Sequence, residues 1–304
     1  MPEPLAIFDR ALLRRRLVRA GARGFAGFLA ERAAEDLAER LAAVTRDFPL
    51  ALDLGAPTDA ALRALRAHPR VGRALRAAPA AGLPFHADFV ADEEAPPLAP
   101  GAFNLIVSLL ALQCVNDLPG ALVQLRRALA PDGFFLACLF GGATLQELRQ
   151  ALMEAEAAVE GGVSPRVAPF ADVRDLGGLL QRAGFALPVT DLDTVTVRYA
   201  HPLALMADLR AMGLANILRE RSRKPLRRAT LSRALAIYTE RFRDPDGRVR
   251  ATFDLVWIAG WAPHESQQRP LRPGSAKARL ADALGVLEIG AGEKPGGRGG
   301  SRSR

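Results

Sequence analysis

The sequence predicts an α/β protein: a mostly parallel sheet covered by helices on both faces, with an antiparallel last strand and a helical insertion before it. Three observations carry this. Apolar runs of strand length, LALDL from residue 50, FNLIVSLLAL from 103 and GFFLACLF from 133, are continuous rather than alternating, as in strands buried on both faces. Helical stretches such as DLPGALVQLRRAL separate them, the order of βαβ units. A last strand, VRATFDLVWIAGW, comes only after a long helical block.

The elements follow in order. FAGFLAERAAEDLAERLAA, residues 25–43, sets Phe25, Phe28, Leu29, Leu37 and Leu41 at mostly helical spacing, an amphipathic helix that lies against the next unit. Pro49 ends that pattern, and LALDLG forms the first strand and its turn. A short helix from Asp59 to Arg66 leads to RVGRALRA, a weaker strand, then FHADFVAD, a clearer one. Thr144 and Glu147 read as a capping box for a helix that runs to about Val159 and stops at Gly161-Gly162. DVRDLGGLLQRAG is a helix, TDLDTVTVRY alternates as a strand, and residues 202–242 are helical in two pieces. The divisions expected are a helical segment 1–48, a core 49–200, a lid insertion 201–245, a last strand with its C-terminal motif 246–288, and a Gly/Arg-rich disordered tail 289–304.

Composition narrows the function. The 304 residues carry 41 basic against 33 acidic side chains, net +8. RERSRKPLRR, residues 219–228, concentrates cations around the lone Glu220, either as a solvated loop or as a surface for an acidic partner. No aromatic residues alternate with these charges, which argues against specific nucleic-acid binding. Cys114 and Cys138 form no C-x-x-C pair, so neither a disulfide framework nor a structural zinc site is expected, and a reducing compartment fits. No apolar run approaches the roughly 18–20 residues of a membrane span, although peripheral membrane contact is compatible with the charge. LAIFDRALLRRRLVRAG carries charge inside its apolar stretch and is no secretory signal; its Arg-rich amphipathic look suits an organellar presequence, against which Asp9 and the following acidic helix speak.

In parallel sheets, ligands bind outside the carboxyl ends of the strands. Asp53 and Gly55 stand at the first such end, but Ala56, Pro57 and Thr58 follow where further glycines would let the backbone approach a cofactor. RVGRALRAAPAAG offers no carboxylate for a ribose. Asp92 and Glu93, in VADEEAPPL, suit an exocyclic amine or a polar turn. His86-Ala87-Asp88 with His201 or His264 has the ligand types of an iron triad, while no P-loop, nucleophile elbow or H-E-x-x-H occurs. Tyr199, Trp261, His264 and Glu265 lie at strand ends or in the C-terminal motif, and no catalytic base is singled out.

VADEEAPPLAPGAFNLIVSLLALQCVNDLPGALVQLRRALAPDGFFLACLFGG resembles the middle of class I S-adenosylmethionine-dependent methyltransferases, which implies a Rossmann-like sheet. The resemblance assigns Asp53 and Gly55 to the glycine loop, Asp92 with Glu93 to the adenine side, and Ser108, Leu109 and Leu110 to the strand end beside the methionine moiety. FGGATLQELRQAL, GGVSPRVAPFADVRDLGGLLQRAGF, ATFDLVWIAGWAPHESQQRP and RPGSA resemble the methyltransferase-like assembly factors of respiratory complex I and their bacterial relatives. That resemblance implies S-adenosylmethionine as cofactor and a protein substrate or assembly partner, such as a complex I subunit. The location it implies is cytoplasmic in a bacterium or the mitochondrial matrix in a eukaryote. Two alternatives accompany it: a non-catalytic assembly factor with a degenerate cofactor loop, and a protein-arginine hydroxylase.

Overall fold

The computed structural model describes residues 6–268; the RPGSA motif and the expected tail lie outside them. Two helices, α1 (Arg10–Ala22) and α2 (Phe28–Ala42), precede the sheet. Then come β1 (Phe48–Leu54), α3 (Ala60–Ala67), β2 (Val71–Ala78), β3 (Phe89–Val90), β4 (Phe103–Leu109), α4 (Leu118–Ala128) and β5 (Leu129–Phe140). The second half runs α5 (Gln146–Glu160), α6 (Val173–Arg182), β6 (Ala186–Tyr199), α7 (Pro202–Ala211), α8 (Arg228–Phe242) and β7 (Val249–Trp261).

The strands form one seven-stranded sheet in the order β3-β2-β1-β4-β5-β7-β6. The first five are parallel, whereas β7 pairs antiparallel with both β5 and β6. The Rossmann-like sheet expected from the continuous apolar runs is therefore present, with its order reversing between β1 and β4. Residue alternation distributes the core. Leu105, Val107, Phe253, Leu255 and Trp257 face α2, α3, α5, α7 and α8, while Ile106, Phe135, Val256 and Ile258 face α4 and α6.

Two local expectations are corrected. FHADFVAD forms a strand over Phe89 and Val90 alone, because the residues before them meet β2 through side chains: the Arg76 guanidinium donates to the His86 carbonyl at 2.7 Å, and the Asp88 carboxylate accepts from the Arg76 N–H at 2.7 Å. Thr144 and Glu147 form no capping box. Leu145, with φ +56°, occupies the N-cap of α5. The Thr144 hydroxyl accepts from the Asp254 N–H at 3.0 Å, and the buried Glu147 carboxylate accepts from the N–H and hydroxyl of Thr252. Both side chains bind α5 to β7 instead of closing their own helix. Gly161 ends α5 in the left-handed region, as its sequence position requires.

Candidate functional site

The carboxyl edge of β1 and β4 is the crevice where the strand order reverses, and it is built around two carboxylate groups of different kinds. Asp53, at the end of β1, is fully buried, and neither of its oxygens has a hydrogen-bond partner among the described residues. Arg76, on β2 and equally buried, brings its Nε to 3.3 Å from Asp53. Its other nitrogens donate to the carbonyls of Ala56, at 2.8 Å, and His86. Burial pushes the Asp53 carboxyl up to about 7, with the Arg76 charge opposing that rise. Burial also lowers Arg76, so desolvation outweighs mutual attraction on both sides of this pair.

Gly55 follows with φ +73°. A Cβ there would lie 2.5 Å from Cγ of Glu93 and 2.6 Å from its carboxylate, so both the backbone angle and the close approach demand glycine. The end of β2 carries only Ala77, Ala78 and Pro79, but a carboxylate nonetheless stands against the Gly55 turn, supplied by Glu93 from beyond β3.

That acidic segment is held from above. Arg10 of α1 pairs with Asp92 at 2.7 Å and with buried Glu93, and lies 3.6 Å from Glu94; Arg14, one helical turn on, also pairs with Asp92. Burial opposes the charge on Arg10, yet Glu93 and Asp92 hold its pKa above the ordinary arginine value. At Glu93 burial prevails over Arg10 and the pKa rises; at Asp92 the Glu94 N–H and the two arginines overcome burial and lower it.

Beneath α1 lies a cavity of about 40 Å³ lined by Leu13, Leu29, Gly55, Pro57, Glu93 and Leu110, among others. It adjoins a second, apolar chamber of about 190 Å³, since Leu13, Cys114, Phe140 and Leu214 line both. Leu145, Leu148, Phe170 and Leu209 contribute further to the second chamber. Leu110 sits at φ +52°, an uncommon conformation for a leucine, pinned by its N–H to Cys138 O (2.7 Å) and by Gln113 Nε2 to its own carbonyl (2.7 Å). Burial pushes the Cys114 thiol up to about 12, which leaves it inert as a nucleophile.

Of the residues singled out in the sequence, Gly55, Glu93 and Leu110 line the first cavity. Asp92 caps its acidic wall through Arg10 and Arg14, and Asp53 lies below the turn against Arg76. Leu109 packs into the core, and Ser108 is a tie between strands, its hydroxyl donating to the Leu54 carbonyl at 2.9 Å. His86 pairs with Asp88 at 3.5 Å, whereas His201 caps α7 by accepting from the Ala204 N–H. Among the described residues no three His, Cys, Asp or Glu side chains converge as metal ligands.

Sequence comparison matches residues 25–188 to the methyltransferase domain. The chain belongs to this methyltransferase family. Among its relatives is the human mitochondrial arginine-hydroxylase NDUFAF5, 40% identical over 293 residues, covering 92% of this chain and 84% of the human protein. The zebrafish arginine-hydroxylase NDUFAF5 (Danio rerio) is 38% identical over 91% of this chain and 89% of its own. A malonyl-[acyl-carrier protein] O-methyltransferase of Halorhodospira halophila is 41% identical over 179 residues, 59% of each protein. The solved structure of the YcgJ protein of Bacillus subtilis covers 77% of this chain and 99% of its own, with a TM-score of 0.51 at 12% identity, a likeness of fold.

Proposed function

We propose that this methyltransferase-family chain binds S-adenosylmethionine at the carboxyl ends of β1, β3 and β4 and acts on a protein acceptor connected with respiratory complex I assembly. The observation that carries this reading is the paired cavity. The glycine turn and the Glu93 carboxylate border one space, and an apolar chamber adjoins it across Leu13, Cys114, Phe140 and Leu214, an arrangement that suits a two-substrate enzyme. The donor set suits the cofactor: Asp92 and Glu93 offer acceptors for an exocyclic amine and for ribose hydroxyls, and the strained Leu110 turn offers an apolar wall. The bound cofactor supplies an electrophilic methyl group on a sulfonium. The chain's own contribution is to align the two cavities and keep water from the apolar junction at Phe140 and Leu214.

The first cavity, at about 40 Å³, is far below the roughly 300 Å³ or more of small-molecule pockets. Admission of a nucleoside on this reading has Arg10 release Glu93, with α1, which carries Arg10, shifting away from the acidic segment. Calorimetric titration with S-adenosylmethionine and S-adenosylhomocysteine tests the reading: binding near micromolar, about −8 kcal/mol, is expected. No heat up to millimolar ligand, from folded protein, would instead support a non-catalytic assembly factor. A second reading, protein-arginine hydroxylation, is favoured by what the NDUFAF5 relatives are named for. Mass spectrometry of a modified acceptor separates the two, since one adds a methylene and the other an oxygen.

A further inference from the structure

Two basic clefts adjoin the apolar chamber. One, of about 410 Å³, is lined by Arg16, Arg19, Arg23 and Arg210 together with small residues. The other, of about 460 Å³, is lined by Arg16, Arg166, Arg221, Arg223 and Lys224 beside Ser222 and Pro225. Arg16 belongs to both clefts, Arg210 joins the first to the chamber, and Arg166 joins the second to it. Among the described residues, no Asp or Glu lines the chamber or either cleft. Arg166 is neutralised by buried Glu156, and Arg221 by Asp9 at 3.2 Å. No carboxylate among the described residues pairs with Arg16, Arg19, Arg23, Arg210, Arg223 or Lys224. Arg16 is instead burdened: burial, then Arg221 and Arg19, lower its pKa. Like charges gathered around one opening cost energy that an anionic partner would recover.

We infer that this face docks an acidic protein segment, whose carboxylates spread over both clefts while one apolar side chain between them anchors in the chamber. A protein segment fits better than a small acid, because the cations are spread over two clefts of about 410 and 460 Å³ that each share residues with the chamber, more surface than a single head group covers. Among the described residues, neither cleft is lined by an aromatic side chain that could serve as a stacking platform for nucleic-acid bases. The inference rests on the protein-acceptor reading above, but its test needs no cofactor, so failure of either is separable.

The probe is a fluorescent peptide of Asp and Glu residues around a central Phe, titrated by anisotropy into the full chain. Tight, salt-sensitive binding is expected, with the matched Lys/Arg peptide inert and the central-Gly acidic peptide weakened. The triple change R19E/R23E/R210E, at three exposed positions, should weaken binding by about tenfold or more. The equally exposed triple R66E/R174E/R182E should change it by less than about twofold. Ala168→Phe, at a chamber-lining residue, should remove the preference for Phe over Gly at the peptide centre. Should that variant fail to fold, the wild-type comparison of Phe and Gly peptides still decides the anchor. Equal affinity for acidic and basic peptides, indifference to the first triple change, or tighter binding of phosphatidylglycerol vesicles or an oligonucleotide would overturn the proposal.

Discussion

The two ends of the paired cavity treat charge in opposite ways. On the cofactor side every named charge has an internal answer: Glu93 and Asp92 meet Arg10 and Arg14, and Asp53 meets Arg76. On the chamber side cations accumulate with few carboxylates to meet them. The charges of the first region are met within it; those of the second are left for a partner to meet. Helix α1 carries both behaviours, since Arg10 and Arg14 grip the acidic segment, Leu13 lines both cavities, and Arg16 and Arg19 line the basic clefts. On the proposed reading, movement of α1 away from Glu93 also shifts Arg16 and Arg19 in the basic clefts.

The largest effect that can break this comparison is removal of Arg76. Arg76→Ala leaves Asp53 buried without a counter-charge, and denaturant unfolding at pH 8 should show a loss of about 3–5 kcal/mol. Asp53 also gives the folded state a distinct pH dependence. Its folded pKa, about 7, lies above the ordinary aspartate value of 3.8, so its favourable contribution is full below about pH 4 and is lost as pH rises through 7. Asp53→Asn should flatten the fall of stability between pH 5 and 8 by an amount on the order of 2–4 kcal/mol; an unchanged slope would place the titration elsewhere.

Gly55→Ala sharpens the cofactor side. The positive φ and the contact with Glu93 should cost about 1–3 kcal/mol in chemical denaturation and weaken cofactor binding, while leaving acidic-peptide affinity near that of the parent. The smallest effect is at Thr144: Thr144→Val leaves the Asp254 N–H without its hydroxyl acceptor, and thermal unfolding should report a loss of about 1 kcal/mol.

Much of the sheet was legible because burial on both faces writes continuous apolar runs: β7 coincides with VRATFDLVWIAGW, β4 lies within FNLIVSLLAL, and β5 contains GFFLACLF but begins four residues earlier, at Leu129. RVGRALRA reads weakly for a physical reason. Arg70, Arg73 and Arg76 recur every third residue, which breaks the two-residue period of a strand, and Arg76 is in fact buried, its charge met by Asp53 and two carbonyls from elsewhere in the chain. Thr144 and Glu147 have the right spacing for a capping box, but stronger partners on β7 lie more than a hundred residues away. Gly55, Asp92 and Glu93 could be chosen from strand-end position alone. Arg10 and Arg14 could not, although their four-residue spacing on one helical face and the Asp92-Glu93-Glu94 run are complementary signals. Only the fold brings them together.

The central claim, a cofactor corner latched by α1, is tested most directly by amide hydrogen exchange with and without saturating S-adenosylhomocysteine. The account predicts faster exchange in residues 10–22 and slower exchange around Gly55 and residues 91–95. Protection at Gly55 with no change in α1 would contradict the latch, and no change in either segment at millimolar ligand would contradict cofactor binding itself.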